Sequence, residues 1–269
     1  MNGFVLYYSC NCLYGNVLVS LESTPVTPTV ESMTTDLVEA TKAVESAFDE
    51  TEKYSNAMVV MSSEGFGEQA KAIAANVMNK IKEFFKRLLE WLKKFKNFIS
   101  EKVFKIKLGR VKDSSKKQKM DQVAKNIDNL SDKLEKDSQV VIATIDGKPV
   151  EAIVVEPEKL EKAKVAQKRS KIIQEGISKT SHAFNKAIDE ELAAEANPEE
   201  KEAETFDEKM GTIQNCIHAF DELSNAQTSE DIDKIMNNRL GGMFRNKDGS
   251  QFNGTFAEFM ASKDTVLEL

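Results

Sequence analysis

Between residues 68 and 108 apolar side chains return every three or four positions, through Ile73, Val77, Ile81, Phe84, Phe85, Leu88, Trp91, Leu92, Phe95, Phe98 and Ile99. Lys80, Lys82, Lys86, Arg87, Lys93, Lys94 and Lys96 fill the positions between them. This spacing predicts one long cationic amphipathic helix with a wide aromatic face. Such a face must be covered by the chain's own body, a bilayer or a partner helix, because that much apolar surface is costly to leave in water.

The charge is distributed in blocks around this helix. The 269 residues carry 37 Lys and Arg against 44 Asp and Glu, a net charge of -7. Residues 1–64 hold nine acids and two bases, residues 65–119 hold sixteen bases and five acids, and residues 120–269 return to an acidic excess of eleven. The division predicts an acidic, flexible N-terminal segment (1–64), a cationic helix with a basic linker (65–119), and an acidic, mostly helical body (120–269). With 30% charged residues the chain is too polar for a multi-span membrane protein.

The first 21 residues are uncharged, but they lack the basic n-region of a secretory signal, and Asn11, Gly15 and Asn16 interrupt the apolar run. Met33 is an alternative start to Met1. Ser23 to Thr29, with Pro25 and Pro28, reads as an extended linker. Residues 34–54 predict a short acidic amphipathic helix carrying Leu37, Val44 and Phe48. The three cysteines, Cys10, Cys12 and Cys216, are too few for a disulfide framework and fit no zinc spacing, so a reduced, intracellular chain is expected.

In the body, Val123, Ile127, Leu130 and Leu134 form a helical seam. The β-branched run Val140–Thr144, Asp146-Gly147, and the run Val150–Val155 then predict a β-hairpin over about 139–155. A long helix is expected from Glu158 to Ala194, and another from Asn197-Pro198, with Phe206, Met210, Ile213, Ile217 and Phe220 on one face. Thr228 and Asp231 suit a cap for a helix running to Leu240 and stopped by Gly241-Gly242. Residues 241–254 read as glycine-rich loop, and Phe256–Met260 as a short closing helix. The fold class is therefore mainly α with one β-hairpin.

Chemistry is sparse. The two histidines, His182 and His218, fall in no zinc or nucleophile pattern, and phosphate-loop, GxGxxG and GxSxG motifs are missing from the sequence. His218, between Ile217 and Phe220, reads as a boundary residue, and His182 as a helix surface residue. A catalytic body would need a pocket converging on one of them. The acidic runs 189–191 and 199–204 lack calcium-loop spacing and read as solvated faces. No catalytic residue, metal or cofactor is expected, and the chain reads as non-enzymatic. The basic segment, with Phe84, Phe85, Trp91 and Phe95 among its lysines, has three readings: core of its own protein, a peripheral membrane surface using residues 69–104 against anionic lipid, or a non-specific polyanion surface. Only Arg87 and Arg110 among its bases are arginines, which argues against reading of base sequence.

The junction Ser62-Ser63-Glu64/Gly65-Phe66, where acidic sequence gives way through a glycine break to a Lys-rich aromatic helix, resembles head-internal proteins of large tailed bacteriophages. The resemblance covers about residues 30–110 and rests on a three-residue motif. It implies that a prohead protease cuts after Glu64, with Ser62 as the small residue and Gly65 as the new N-terminus. It also implies a structural protein of the virion interior, found in host cytoplasm during assembly, whose partners are phage head proteins and packaged DNA.

Overall fold

The computed structural model describes residues 39, 40, 42–44, 46, 47, 66–147, 157–196, 206–262 and 264–268. Four long helices make the core: α1 (Phe66–Phe98), α2 (Ser114–Asp146), α3 (Pro157–Ala196) and α4 (Phe206–Leu223). The aromatic period of α1 continues through a π-helical stretch (Ile99–Lys107) and a 3-10 turn (Leu108–Arg110) before the chain reverses. A shorter helix, α5 (Ser229–Ile235), runs on through π and 3-10 turns to Met243, and α6 (Phe256–Ala261) lies between two three-residue strands, β1 (Phe244–Asn246) and β2 (Thr265–Leu267). The fold is mainly α with one antiparallel strand pair, Phe244 facing Leu267 and Asn246 facing Thr265.

Ion pairs mark the helix directions. Lys82 with Asp146 and Lys96 with Asp132 set α1 antiparallel to α2. Arg169 with Asp137 and Lys116 with Glu191 set α2 antiparallel to α3. Lys119 with Asp207 and Lys133 with Asp221 run α4 parallel to α2. Between the four helices lies one apolar core that includes Phe84, Phe85, Leu88, Leu92, Phe95, Ile127, Leu130, Ile173, Phe184 and Phe220. Ala40, Val44 and Ala47 are helical and join the same core, in line with the helix expected over 34–54; its positions Leu37 and Phe48 lie outside the described residues.

The strand pair is not where the sequence placed it. Val140–Thr144 belong to α2, and residues 148–155, the other half of the expected hairpin, lie outside the described residues. The seam of α2 continues past Leu134 through buried Ser138, half-buried Val141 and buried Ile145, steps of four, three and four that keep one helical face inward. Ser138 tolerates burial because its hydroxyl donates to the Leu134 carbonyl at 2.6 Å, and Thr144 is held the same way to Val140 at 2.8 Å. Asp146-Gly147 is the helix stop, with the Gly147 N–H donating to the Ala143 carbonyl at 2.9 Å. Packing of one face thus overrides the β preference of Val140 and Val141.

The basic run 111–119 is likewise only partly a linker, since α2 begins at Ser114. Asp113 caps it, accepting from the N–H groups of Ser115 at 2.9 Å and Lys116 at 3.1 Å; these bonds, Lys116 first, hold its carboxyl below the usual range. Glu195 at the far end of α3 accepts from the backbone of Lys112 and Asp113 and fixes the corner. The helix expected from Asn197 has its first described residue at Phe206, and the chain from 241, read as loop, pairs as β1. The cap at Thr228 forms as a reciprocal box with Asp231, and Thr255 does the same with Glu258 to start α6.

Candidate functional site

Of the residues expected to meet a membrane or polyanion, the aromatic ones are core. Phe84, Phe85, Trp91 and Phe95 are all 2% exposed or less. Trp91 and Phe95 stack at 4.9 Å between centroids, and Phe84 meets Phe85 edge to face at 5.2 Å. For that stripe to reach a bilayer, α1 would have to part from α2 and α3 and expose the aliphatic faces opposite. Among the described residues the Trp91 indole N–H finds no acceptor, a cost the packing around it absorbs.

The lysines divide into two groups. Lys82 and Lys96 turn along the protein and pair with Asp146, and with Asp132 and Glu135, on α2. Burial alone would push the Lys96 ammonium down, but the hydrogen bonds to Asp132 and Glu135 outweigh it and raise its pKa. Lys86, Lys93 and Lys94 are exposed and have no ion-pair partner among the described residues, whereas Arg87 is tied to Glu83 at 2.6 Å and Lys80 is half-buried. Glu83 and Glu90 share the exposed face with them, so the outer surface of α1 is only mildly positive. Further along, Lys107, Lys116 and Lys119 each meet an acid of the body, Asp189, Glu191 and Asp207. The basic block is thus partly neutralised by the acidic block that follows it. Ser62, Glu64 and Gly65 lie outside the described residues, directly before α1.

A second cationic surface has no counterpart in the sequence reading. A cleft of about 1160 Å³ opens between α3, α4 and the β pair, and Lys179, His182, Lys186, Lys209, Arg245 and Lys247 line it. Five Lys and Arg line it with two carboxylates, Glu190 and Glu268, and Asp264 just outside the lining lies 3.6 Å from Lys247. Glu190 accepts from Lys209 at 2.7 Å, which lowers its pKa, and Glu268 lies 3.0 Å from Arg245. Lys179 sits in the cleft with its ammonium held below the usual lysine value by loss of surrounding water, an effect that Glu175 opposes. His218 is exposed on α4 rather than at a boundary, and does not line this cleft. Helical spacing of Lys179, His182 and Lys186 was the only trace of the cleft in the sequence, since its other cations come from 209 and 245–247. Among the described residues no group of three or more His, Cys, Asp or Glu could hold a metal, and no helix is long and apolar enough to cross a membrane.

Comparison with protein-family models, curated proteins and solved structures found no match. Fold and surface together define a mainly helical protein with an acidic segment ahead of its first long helix and two cationic surfaces.

Proposed function

We propose that this chain is a non-enzymatic structural protein of a virion interior, matured by a prohead protease that cuts after Glu64, and that its helical body then faces packaged DNA through exposed lysines. The observation that carries the reading is where the junction falls. α1 is described from Phe66, so a cut between Glu64 and Gly65 removes the acidic segment and falls ahead of every described element from α1 to β2. The resemblance of Ser62-Ser63-Glu64 to a head-protein processing site, and the reversal of charge across it, support the same reading.

Cleavage cuts the tether but not the packing. Ala40, Val44 and Ala47 are buried in the common core, so the acidic segment leaves by dissociation after the peptide bond is cut. While covalently attached it acts at high effective concentration beside the body, and cleavage makes its docking bimolecular. Loss of the segment takes the side-chain charge from -7 to about zero, which weakens repulsion from DNA. Mass spectrometry of the protein from its natural source tests the processing, with a mature N-terminus expected at Gly65. Recovery of chain beginning at Met1 or Met33 with Glu64–Gly65 intact would overturn it.

A further inference from the structure

We infer that the cleft between α3, α4 and the β pair is a nucleic-acid backbone site, and that polyanion contact is made there rather than on the outer face of α1. The inference rests on the proposed polyanion-facing role and names the surface that carries it. Lys179, His182, Lys186 and Glu190 stand three or four residues apart on one face of α3. The cationic part of this face, from Lys179 to Lys186, is about 10 Å long at 1.5 Å per residue and ends at Glu190, whose carboxylate lies 3.6 Å from Lys186. One strand of a duplex places a phosphate every 3.4 Å or so of axis, so about three phosphates pass along a stretch of that length. Lys209 and the pair Arg245 and Lys247 approach from the other walls, which puts cations on both sides of a strand lying in the trough.

The form of the cleft selects among anions. It is larger than a typical small-molecule pocket and open to solvent, whereas such pockets enclose most of their ligand in about 300–1,000 Å³. Its cations stand on the walls of a trough rather than on one flat face, an arrangement that suits a raised sugar-phosphate ridge better than a bilayer surface. No Phe, Tyr or Trp lines it and His182 is its one aromatic ring, so no platform for stacking successive single-stranded bases is provided, and one arginine among five Lys and Arg fits contact without base reading. Glu190 sits against both Lys209 and Lys186, Glu268 against Arg245 and Asp264 against Lys247; these carboxylates act as internal stand-ins for phosphate, which a polyanion must displace, keeping contact weak and salt-sensitive.

The test uses the full chain and a labelled 20-bp duplex of mixed sequence, with binding followed by fluorescence anisotropy from 50 to 200 mM salt. The cleft variant Lys179→Gln/Lys186→Gln/Lys247→Gln changes exposed lysines only, and far-UV circular dichroism checks that it folds. If all three touch phosphate, the slope of log K against log salt becomes shallower by about 2.7. The control Lys86→Gln/Lys93→Gln/Lys94→Gln on α1 keeps the wild-type slope. The opposite pattern, with the control losing slope and the cleft variant unchanged, overturns the cleft and leaves the polyanion-facing role standing. No binding by the wild-type chain overturns both. Displacement of the duplex by poly-glutamate at equal charge concentration shows a site for acidic peptide and overturns the nucleic-acid assignment.

Discussion

Gly176 on α3 decides how closely α3 and α4 approach, and with that the width of the cleft they wall. A Cβ built on it would fall 2.5 Å from both Cε1 and Cε2 of Phe220 and nearer still to Cζ, where carbon atoms prefer about 3.5–4.0 Å. Phe220 is 1% exposed, so its ring has no solvent to move into. Replacing Gly176 by Ala gains about 1 kcal/mol of helix propensity. Overpacking a core costs about 1–3 kcal/mol, and a shift of an ångström or more by a buried ring belongs at the upper end. The net expectation for Gly176→Ala is a loss of about 2 kcal/mol, a fall of about 4–8 °C in Tm for a domain of this size. Thermal and urea unfolding followed at 222 nm measure it. The double variant with Phe220→Leu should be more stable than the sum of the single changes by about 1 kcal/mol or more, because the two sites touch. A Gly176→Ala protein as stable as the parent, or more so, would refute the close approach of α3 to α4.

Three further expectations follow from buried or crowded groups. Trp91→Phe should cost less than about 1 kcal/mol, because the indole N–H it removes has no acceptor among the described residues, whereas Trp91→Ala should cost about 3–5 kcal/mol; equal losses would contradict the core placement. Asp128 has its carboxyl raised by loss of solvent and by Asp132, against the pull of Lys96, so its ionised form weakens the fold at neutral pH; the penalty fades as pH falls through the raised value and is gone below the ordinary 3.8. Asp128→Asn should therefore stabilise by about 0.3–0.5 kcal/mol at pH 7, the size of a like-charge pair one helical turn apart, with no gain in strong acid. Burial pushes the Cys216 thiol up to about 11, with Met243 Sδ 3.3 Å from its sulfur. Peptide mapping after iodoacetamide treatment at pH 8 should find Cys216 unmodified until denaturant is added, and rapid native labelling would show the α4 packing to be wrong.

Elements built on a sustained 3.6-residue period were legible in the sequence. α1, the long helix α3 and the face of α4 from Phe206 to Phe220 follow their apolar spacing, and the Thr228 cap follows its side-chain chemistry. The seam of α2 was legible only to Leu134, because Ser138 broke the apolar count and Val140 to Thr144 suggested a strand. What kept the helix going was an inward-facing serine satisfied by its own backbone, a property invisible to hydropathy. The true strand pair is short and its partners are far apart in sequence. It is flanked by backbone bonds from the Lys247 N–H to the Asp264 carbonyl and from the Glu268 N–H to the Met243 carbonyl, and backed by Phe244 stacked 4.3 Å from Phe259, contacts that no local pattern announces. For the candidate site, the charge of α1 was legible but its use was not. Sequence spacing cannot say whether a lysine meets solvent or, like Lys96, an aspartate 36 residues away. The cleft escaped for the same reason, since its cations converge only after α3, α4 and β1 assemble.

The long sequence intervals between paired charges also set a timetable for synthesis. Lys107 reaches Asp189 across 82 residues and Lys119 reaches Asp207 across 88. At translation rates of about 5–20 residues per second, Lys107 in the π-helical stretch and Lys119 in early α2 leave the ribosome roughly 4–18 s before those carboxylates. For that time the nascent chain is a polycation emerging beside ribosomal RNA, and most of the carboxylates already made belong to residues 1–64. Whatever its later fate, the acidic segment is thus in place during the interval when the basic helix has no body to fold against.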